Sequence, residues 1–174
     1  TTTISVSSAF ENIMASGPAR NNIFALQTTT TLLWAVYGDY DLFYNPYGLD
    51  SYGISKYSET GWLNIPYEKV FGAKSMVRIA VNPTNEKEIY ASSFFSGLLK
   101  IVDDIPEILY NQTNSALESL ILVPPNPSYI DIRINGTAFD KSGNLWVTNS
   151  LIKNGLKSLS ASGQWQSYSL DKIL

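Results

Sequence analysis

The sequence predicts an all-β fold made of three similar four-stranded antiparallel units. The composition of the 174 residues, with 44% hydrophobic, 13% aromatic and 16% charged, is typical of a folded domain rather than a disordered chain. An aromatic residue recurs every 56 positions, at Trp34, Tyr90 and Trp146. The same order of short alternating stretches and polar turns surrounds each of these residues, which indicates an internal repeat.

The first half of each unit consists of two apolar stretches. The first stretch covers residues 23–26, 77–81 and 134–139 in the three units. The second stretch contains the recurring aromatic residue and covers residues 33–36, 89–92 and 145–148. Tight polar turns, such as those at 82–85 and 140–144, separate the two stretches, so each pair predicts a β-hairpin.

The second half of each unit begins at a glycine. An alternating stretch starts at this glycine, at residues 53–57, 97–101 and 155–159. After a polar turn, a fourth stretch opens at residues 62–65, 107–110 and 165–168. Alternation with a period of two predicts a strand for each stretch. Helical patterns are weak, with at most one turn expected at 10–15 and another at 116–122.

Repeated four-stranded meanders are typical of β-propeller blades. A lone blade has two apolar faces that only neighbouring blades cover, so we assign Trp34, Tyr90 and Trp146 to packing between blades. An ordinary β-sandwich is the competing interpretation. The predicted divisions are a lead-in at 1–22, which could supply a strand of a preceding blade, and blades at 23–68, 69–122 and 123–174. Closed propellers have about 4–8 blades, so three blades predict part of a larger propeller or an open array.

The composition also excludes several classes of function. The chain has no His and no Cys, which excludes imidazole or thiol catalysis, disulfides, and histidine or thiolate metal sites. A net charge of −3, from 12 basic and 15 acidic residues, does not favour a nucleic-acid partner. Apolar runs stay well short of the ~18 residues of a membrane span. We predict no enzymatic activity, cofactor or metal, because His is absent and nothing in the sequence pairs two acidic residues as a glycosidase needs.

An insertion in blade 1, at residues 36–52, is the candidate binding site. It joins the second and third strands at the blade end where loop lengths vary most, and long loops on rigid scaffolds commonly carry binding function. Its aromatic rings are suited to stacking on sugars, while its carboxylates and amides are suited to binding hydroxyls. The candidate ligand-binding residues are Tyr37, Asp39, Tyr40, Asp41, Phe43, Tyr44, Asn45, Tyr47 and Tyr52. The alternative is a loop packed on itself or on a neighbouring blade, with solvated acidic residues rather than a calcium site.

Two parts of the repeat carry a family resemblance. Residues 139–149, followed by Gly155-Leu156 and Trp165, resemble the two-component-regulator propeller repeat of Bacteroidota. Residues 81–85, 92–98, and 110–111 with 114–115 are similar to the propeller region of PorZ-type proteins, accessory components of type IX secretion. The resemblance covers residues 70–170 and implies an exported protein of the periplasm or outer-membrane surface. For PorZ-type proteins it also implies the handling of a lipopolysaccharide.

The sequence and the resemblance together favour a non-catalytic propeller module that binds a glycan or a protein in a secretion-accessory role. Its expected ligands are an oligosaccharide or lipopolysaccharide. Its expected partners are other blades or domains of a longer protein, or further copies of this chain joined through the terminal blades. The shared repeat also implies an alternative, the periplasmic ligand-sensing propeller of a hybrid two-component histidine kinase. A carbohydrate-active lyase or hydrolase is a third and less favoured interpretation.

Overall fold

A computed structural model describes residues 16–46 and 48–170. Candidate residue Tyr47, most of the predicted lead-in, and the helical turn predicted at 10–15 lie outside these described residues. Within them, twelve strands form three sheets of four. Blade 1 comprises β1 Ala25–Thr28, β2 Leu33–Val36, β3 Ile54–Ser58 and β4 Gly61–Ile65.

Blades 2 and 3 repeat the arrangement of blade 1. Blade 2 comprises β5 Met76–Asn82, β6 Asn85–Ser93, β7 Gly97–Val102 and β8 Ile105–Tyr110. Blade 3 comprises β9 Ile134–Phe139, β10 Leu145–Asn149, β11 Leu156–Leu159 and β12 Trp165–Tyr168. In every sheet, consecutive strands pair antiparallel in chain order, as the repeat predicted. The all-β architecture of three four-stranded units is therefore confirmed.

Helix is nearly absent from the described residues. A single 3-10 turn, Tyr67–Lys69, lies in the link between blades 1 and 2. The helical turn predicted at 116–122 is not formed, because this irregular segment is a link that places Leu117 in the core between blades 2 and 3. No helix in the described part of the chain is long and apolar enough to cross a membrane.

The recurring aromatic residues occupy equivalent positions on the second strand of each blade. Trp34 pairs with Lys56 of the third strand, Tyr90 with Lys100, and Trp146 with Ser158. Trp34 lies in the core between blades 1 and 2, and Tyr90 lies in the core between blades 2 and 3. Trp146 is only partly buried, because its side of blade 3 has no following blade among the described residues.

In blades 1 and 2, the glycine at the start of the third strand has a steric cause. A Cβ at Gly53 would lie 1.9 Å from the carbonyl oxygen of Ile65, and a Cβ at Gly97 would lie 2.1 Å from that of Tyr110. Since no real Cβ tolerates such a distance, only glycine lets the third strand approach the end of the fourth. Gly97 also has a φ of 111°, in the region that favours glycine.

The first strands of the three blades lie side by side, with β5 contacting both β1 and β9. The turns within hairpins β1–β2 and β3–β4, and their equivalents in blades 2 and 3, lie at one end of the blades, which we call the turn end. The loops between second and third strands and the links between blades lie at the other end, the loop end. This end includes the blade 1 insertion, between β2 and β3, and the long link between β8 and β9.

Candidate functional site

A cleft of about 790 Å³ opens at the loop end. Blade 1 contributes the tip of its insertion, blade 2 contributes its first strand and the loop after its second, and blade 3 contributes β9 and the loop after β10. The residues that line the cleft are Phe43, Tyr44, Asn45, Arg78, Phe94, Arg133, Asn135, Gly136, Thr137, Thr148, Ser150 and Leu151. All three blades therefore meet at this cleft.

Both ends of the insertion are hydrogen-bonded to the start of β5. The backbone N–H of Gly38 donates to the carbonyl oxygen of Met76 at 2.8 Å. The N–H of Ser75 donates to the carbonyl oxygen of Asp50 at 2.8 Å. A Cβ at Gly38 would lie 2.3 Å from the backbone nitrogen of Met76, so this close approach requires glycine. The insertion is thereby held against blade 2 at its base.

A tight turn forms the tip of the insertion. The Asp41 carboxylate accepts hydrogen bonds from the backbone N–H groups of Phe43, at 2.9 Å, and Asn45, at 2.8 Å. The Tyr44 N–H donates to the Asp41 carbonyl oxygen at 3.0 Å. Side-chain oxygens of Asp commonly organise turns in this way. As a result, the side chains of Phe43 and Tyr44 stand 82% and 62% exposed beside the cleft.

Arg133 ties the insertion to blade 3. Its guanidinium lies 2.8 Å from a carboxylate oxygen of Asp131, a buried residue just before β9. The same guanidinium donates to the carbonyl oxygen of Tyr44 at 2.9 Å and to the side-chain oxygen of Asn45 at 3.2 Å. Charge-assisted bonds of this kind are among the stronger hydrogen bonds in proteins. The base of the insertion is thus held by blade 2, and its tip is held beside the cleft by Arg133.

The hydroxyl of Tyr129 completes this charged group by donating to Asp131 at 3.2 Å. Burial raises the pKa of Tyr129, and the neighbouring Asp131 carboxylate raises it further. Both effects disfavour the ionised phenol, so Tyr129 keeps its proton and remains a donor to the carboxylate.

Tyr40 is the packing centre of the insertion. Its ring centroid lies 4.9 Å from that of Phe94, 5.1 Å from that of Phe24 and 5.4 Å from that of Tyr44. Its hydroxyl accepts a hydrogen bond from Asn135 at 3.4 Å. The ring is consequently half-buried, whereas the ring of Tyr44 is exposed.

The other candidate residues of the insertion are spread over several environments. Tyr37 is 1% exposed, and its hydroxyl donates to Ser55, so its ring belongs to the packed interior and is closed to a ligand. The ring of Tyr52 is covered by the guanidinium of Arg20, 3.8 Å from the ring centroid. Asp39 is exposed outside the cleft, and Asp41 is engaged in the turn. Phe43, Tyr44 and Asn45 are the candidates that line the cleft.

The polar floor of the cleft was not predicted from the sequence. Arg78 on β5 donates from Nε to the side-chain oxygen of Asn135 on β9 at 3.1 Å. Thr148 donates to the Gly136 carbonyl oxygen and accepts from the Gly136 N–H. Polar residues within otherwise buried first strands, such as Arg78 between Val77 and Ile79, were the available signal. The lining contains two arginines and no carboxylate, and one of the two, Arg133, is paired with Asp131 behind the lining.

The described residues hold no group of three or more Asp, Glu, His or Cys side chains that could bind a metal ion together. Within the insertion, the Asp41 carboxylate is occupied by the backbone N–H groups of Phe43 and Asn45. The side chains that line the cleft offer aromatic rings for stacking and several hydrogen-bonding groups.

Comparison with known proteins gives a likeness in fold. No protein-family model matches the sequence, and no curated protein matches it. Among solved structures, the chain is similar to PorZ of Porphyromonas gingivalis, an essential bacterial surface component of the type IX secretion system. The TM-score is 0.76, with 20% identity over 91% of this chain. The chain spans 21% of the length of that PorZ chain. The expected likeness to PorZ-type proteins is thus confirmed for the fold.

Proposed function

We propose that this chain is a non-catalytic propeller module of an exported bacterial protein and that it binds a glycan in the loop-end cleft. One observation carries the proposal: two exposed aromatic rings, Phe43 and Tyr44, stand beside a floor of hydrogen-bonding side chains. Sugar rings have apolar faces edged by hydroxyls, and such a combination recognises both features.

The size and lining of the cleft support an oligosaccharide. A volume of about 790 Å³ lies within the usual range for sites that enclose a small ligand. Asn135 and Thr148 offer both donors and acceptors to hydroxyl groups, and Arg78 offers donors alone. The rings of Phe43 and Tyr44 supply the apolar contact.

The rigidity of the insertion supports binding without a large loss of entropy. The Asp41 turn and the Arg133 hydrogen bonds fix the backbone that carries Phe43 and Tyr44. A site that is ordered before binding avoids the free-energy cost of ordering a loop around the ligand. The exposed rings therefore meet the ligand on a preformed wall.

The likeness in fold to a surface component of type IX secretion supports the cellular setting of the proposal. In that setting the module acts as an accessory that holds a glycan, such as the saccharide part of a lipopolysaccharide, while other components carry out transport. A non-catalytic role agrees with the absence of His and Cys from the sequence and of carboxylates from the lining of the cleft.

The test is a glycan-array screen of the chain, followed by titration calorimetry with the best oligosaccharide. We expect the double substitution Phe43→Ala and Tyr44→Ala to weaken binding at least about fivefold, since each lost stacking contact is worth roughly 0.5–1.5 kcal/mol. Phe71→Ala is the matched control, because Phe71 is 55% exposed and lies outside the cleft. Binding that survives the double substitution unchanged contradicts the proposal.

A further inference from the structure

Each blade has two faces, and the pairing register assigns every strand residue to one of them. We call the side that meets the following blade the forward face and the side that meets the preceding blade the back face. In blade 2, Leu99 on the back face packs in the core with blade 1, whereas Tyr90 on the forward face packs in the core with blade 3. Side chains alternate between the faces along each strand.

The forward face of blade 3 repeats the forward face of blade 2. In blade 2, Tyr90 contacts Phe139 with ring centroids 5.9 Å apart, and Tyr110 contacts Trp165 at 5.4 Å. The register places Trp146 and Tyr168 at the equivalent positions of blade 3. Their rings lie 5.2 Å apart and remain partly exposed, since no fourth blade covers them among the described residues.

The back face of blade 1 repeats the back face of blade 3. In blade 3, one row of paired residues across three strands packs on blade 2, and this row is Leu145, Leu159 and Trp165. The equivalent row of blade 1 is Leu33, Tyr57 and Trp62. Its Tyr57 is 48% exposed, and the neighbouring Leu26 of β1 is 54% exposed. The two uncovered faces thus share the Tyr110–Trp165 part of the interface that joins blades 2 and 3, while Thr28 stands in blade 1 where Phe139 stands in blade 3.

Neither uncovered face carries a charged strand residue. By the register, the forward face of blade 3 presents Gly136, Ala138, Trp146, Thr148, Leu156, Ser158, Gln166 and Tyr168. The back face of blade 1 presents Leu26, Thr28, Leu33, Ala35, Ser55, Tyr57, Trp62 and Asn64. Interface cores are depleted in charged residues, whereas solvent-facing sheet surfaces are usually rich in them. Both faces have the composition of an interface.

Among the described lead-in residues, Gly17 and Ala19 contact the back face of blade 1 beside its apolar row. The N–H of Ala19 donates to the Ser55 hydroxyl at 3.0 Å, and Asn64 donates to the Gly17 carbonyl oxygen at 3.2 Å. These bonds place residues 17–19 over the row nearer the loop end. The row that contains Tyr57, nearer the turn end, keeps its exposure.

We propose that the forward face of blade 3 binds the back face of blade 1 in a second copy of this chain, continuing the series of blade interfaces. The contact is head-to-tail, so each copy offers one face of each kind. The described residues of two copies form six blades, which lies within the range of about 4–8 blades of closed propellers. A pair of copies can therefore satisfy both faces of each chain in one closed ring.

The test is sedimentation velocity on the full chain at tens of micromolar. We expect a species of twice the 19.3 kDa mass of the chain. Ala138→Lys on the forward face of blade 3 and Leu26→Lys on the back face of blade 1 should each abolish that species, because each places a charge inside one contact. The controls are Ala161→Lys and Ile105→Lys, which change exposed residues outside both faces.

Mixing the two face variants separates a head-to-tail contact from other modes of association. The Ala138→Lys chain retains an intact blade 1 face, and the Leu26→Lys chain retains an intact blade 3 face, so an equimolar mixture should regain a dimer through one contact. Circular dichroism melting verifies that both variants are folded. A monomeric wild-type chain overturns the proposal, and so does association that neither substitution changes.

Discussion

At the scale of single residues, Asp140 organises the turn between β9 and β10. Its carboxylate accepts hydrogen bonds from the Trp146 indole and the Asn144 side chain, both at 2.9 Å. It also accepts from the backbone N–H groups of Ser142 and Asn144. The Trp146 and Asn144 bonds lower the pKa of Asp140 from 3.8 to about 2. The charged carboxylate is therefore the form that holds the turn and orients Trp146.

This pKa gives a pH-dependent prediction. Because the pKa of Asp140 is lower in the folded chain, its contribution to stability is present above 3.8 and is lost as the pH falls through about 2. We expect Asp140→Asn to lower the melting temperature at neutral pH and to reduce its decline between those two pH values. Asp39→Asn is the control, since Asp39 is exposed and makes no hydrogen bond in the described structure. If the melting temperatures of wild type and Asp140→Asn declined equally with falling pH, that result would contradict this role.

At the scale of elements, the insertion is a packed structure with an exposed tip. We therefore expect substitution of Tyr40, in the packed part, and of Tyr44, at the tip, to have different effects on stability. Tyr40→Ala removes ring contacts with Phe24 and Phe94 and should lower the free energy of unfolding by about 1–3 kcal/mol. Tyr44→Ala should change it by less than about 0.5 kcal/mol. Chemical denaturation measures both, and equal effects would mean that Tyr40 does not carry the packing.

The strands were predictable from sequence because their alternation is local. Each stretch around Trp34, Tyr90 and Trp146 carries its own period-two pattern and ends at turn residues, and the strands lie where these patterns predict them. The glycine before each third strand was visible as a repeat, and its cause became clear only from the distance between Gly53 and the Ile65 carbonyl oxygen. The local sequence pattern was therefore sufficient to predict the strands.

The cleft was predictable only in part because it depends on contacts between blades. Phe43 and Tyr44 were identified from the aromatic content of the insertion, and they line the cleft. Arg133 was missed because its partner Tyr44 is 89 residues away in the sequence. The sequence around either residue does not show how the blades are oriented, so it cannot predict this contact. Tyr37 was included because it is aromatic. Its ring is buried in the packed interior, and its hydroxyl donates a hydrogen bond to Ser55.

At the scale of the whole molecule, blade 2 connects the other two. One core joins it to blade 1 and a second core joins it to blade 3. Polar contacts follow the same division, with Lys56 of blade 1 bonded to Asp104 of blade 2. The fully buried Lys157 of blade 3 bonds to Glu118 in the link that follows blade 2. We therefore expect each interface to contribute separately to the stability of the chain, as in other stacked repeats.

Two adjacent leucines of β7 test this division. Both are fully buried, but Leu99 lies in the core with blade 1 and Leu98 in the core with blade 3. Each substitution to Ala should cost about 2–5 kcal/mol, with the loss concentrated in the interface that the side chain fills. Each substitution should therefore speed hydrogen exchange mainly in peptides from one of the two terminal blades. Leu99→Ala should speed exchange mainly in β2 and β3, and Leu98→Ala mainly in β10 and β11. Because strand, residue type and burial are matched, each variant is the control for the other. Equal acceleration in both terminal blades would show that the three sheets unfold as one cooperative unit rather than interface by interface.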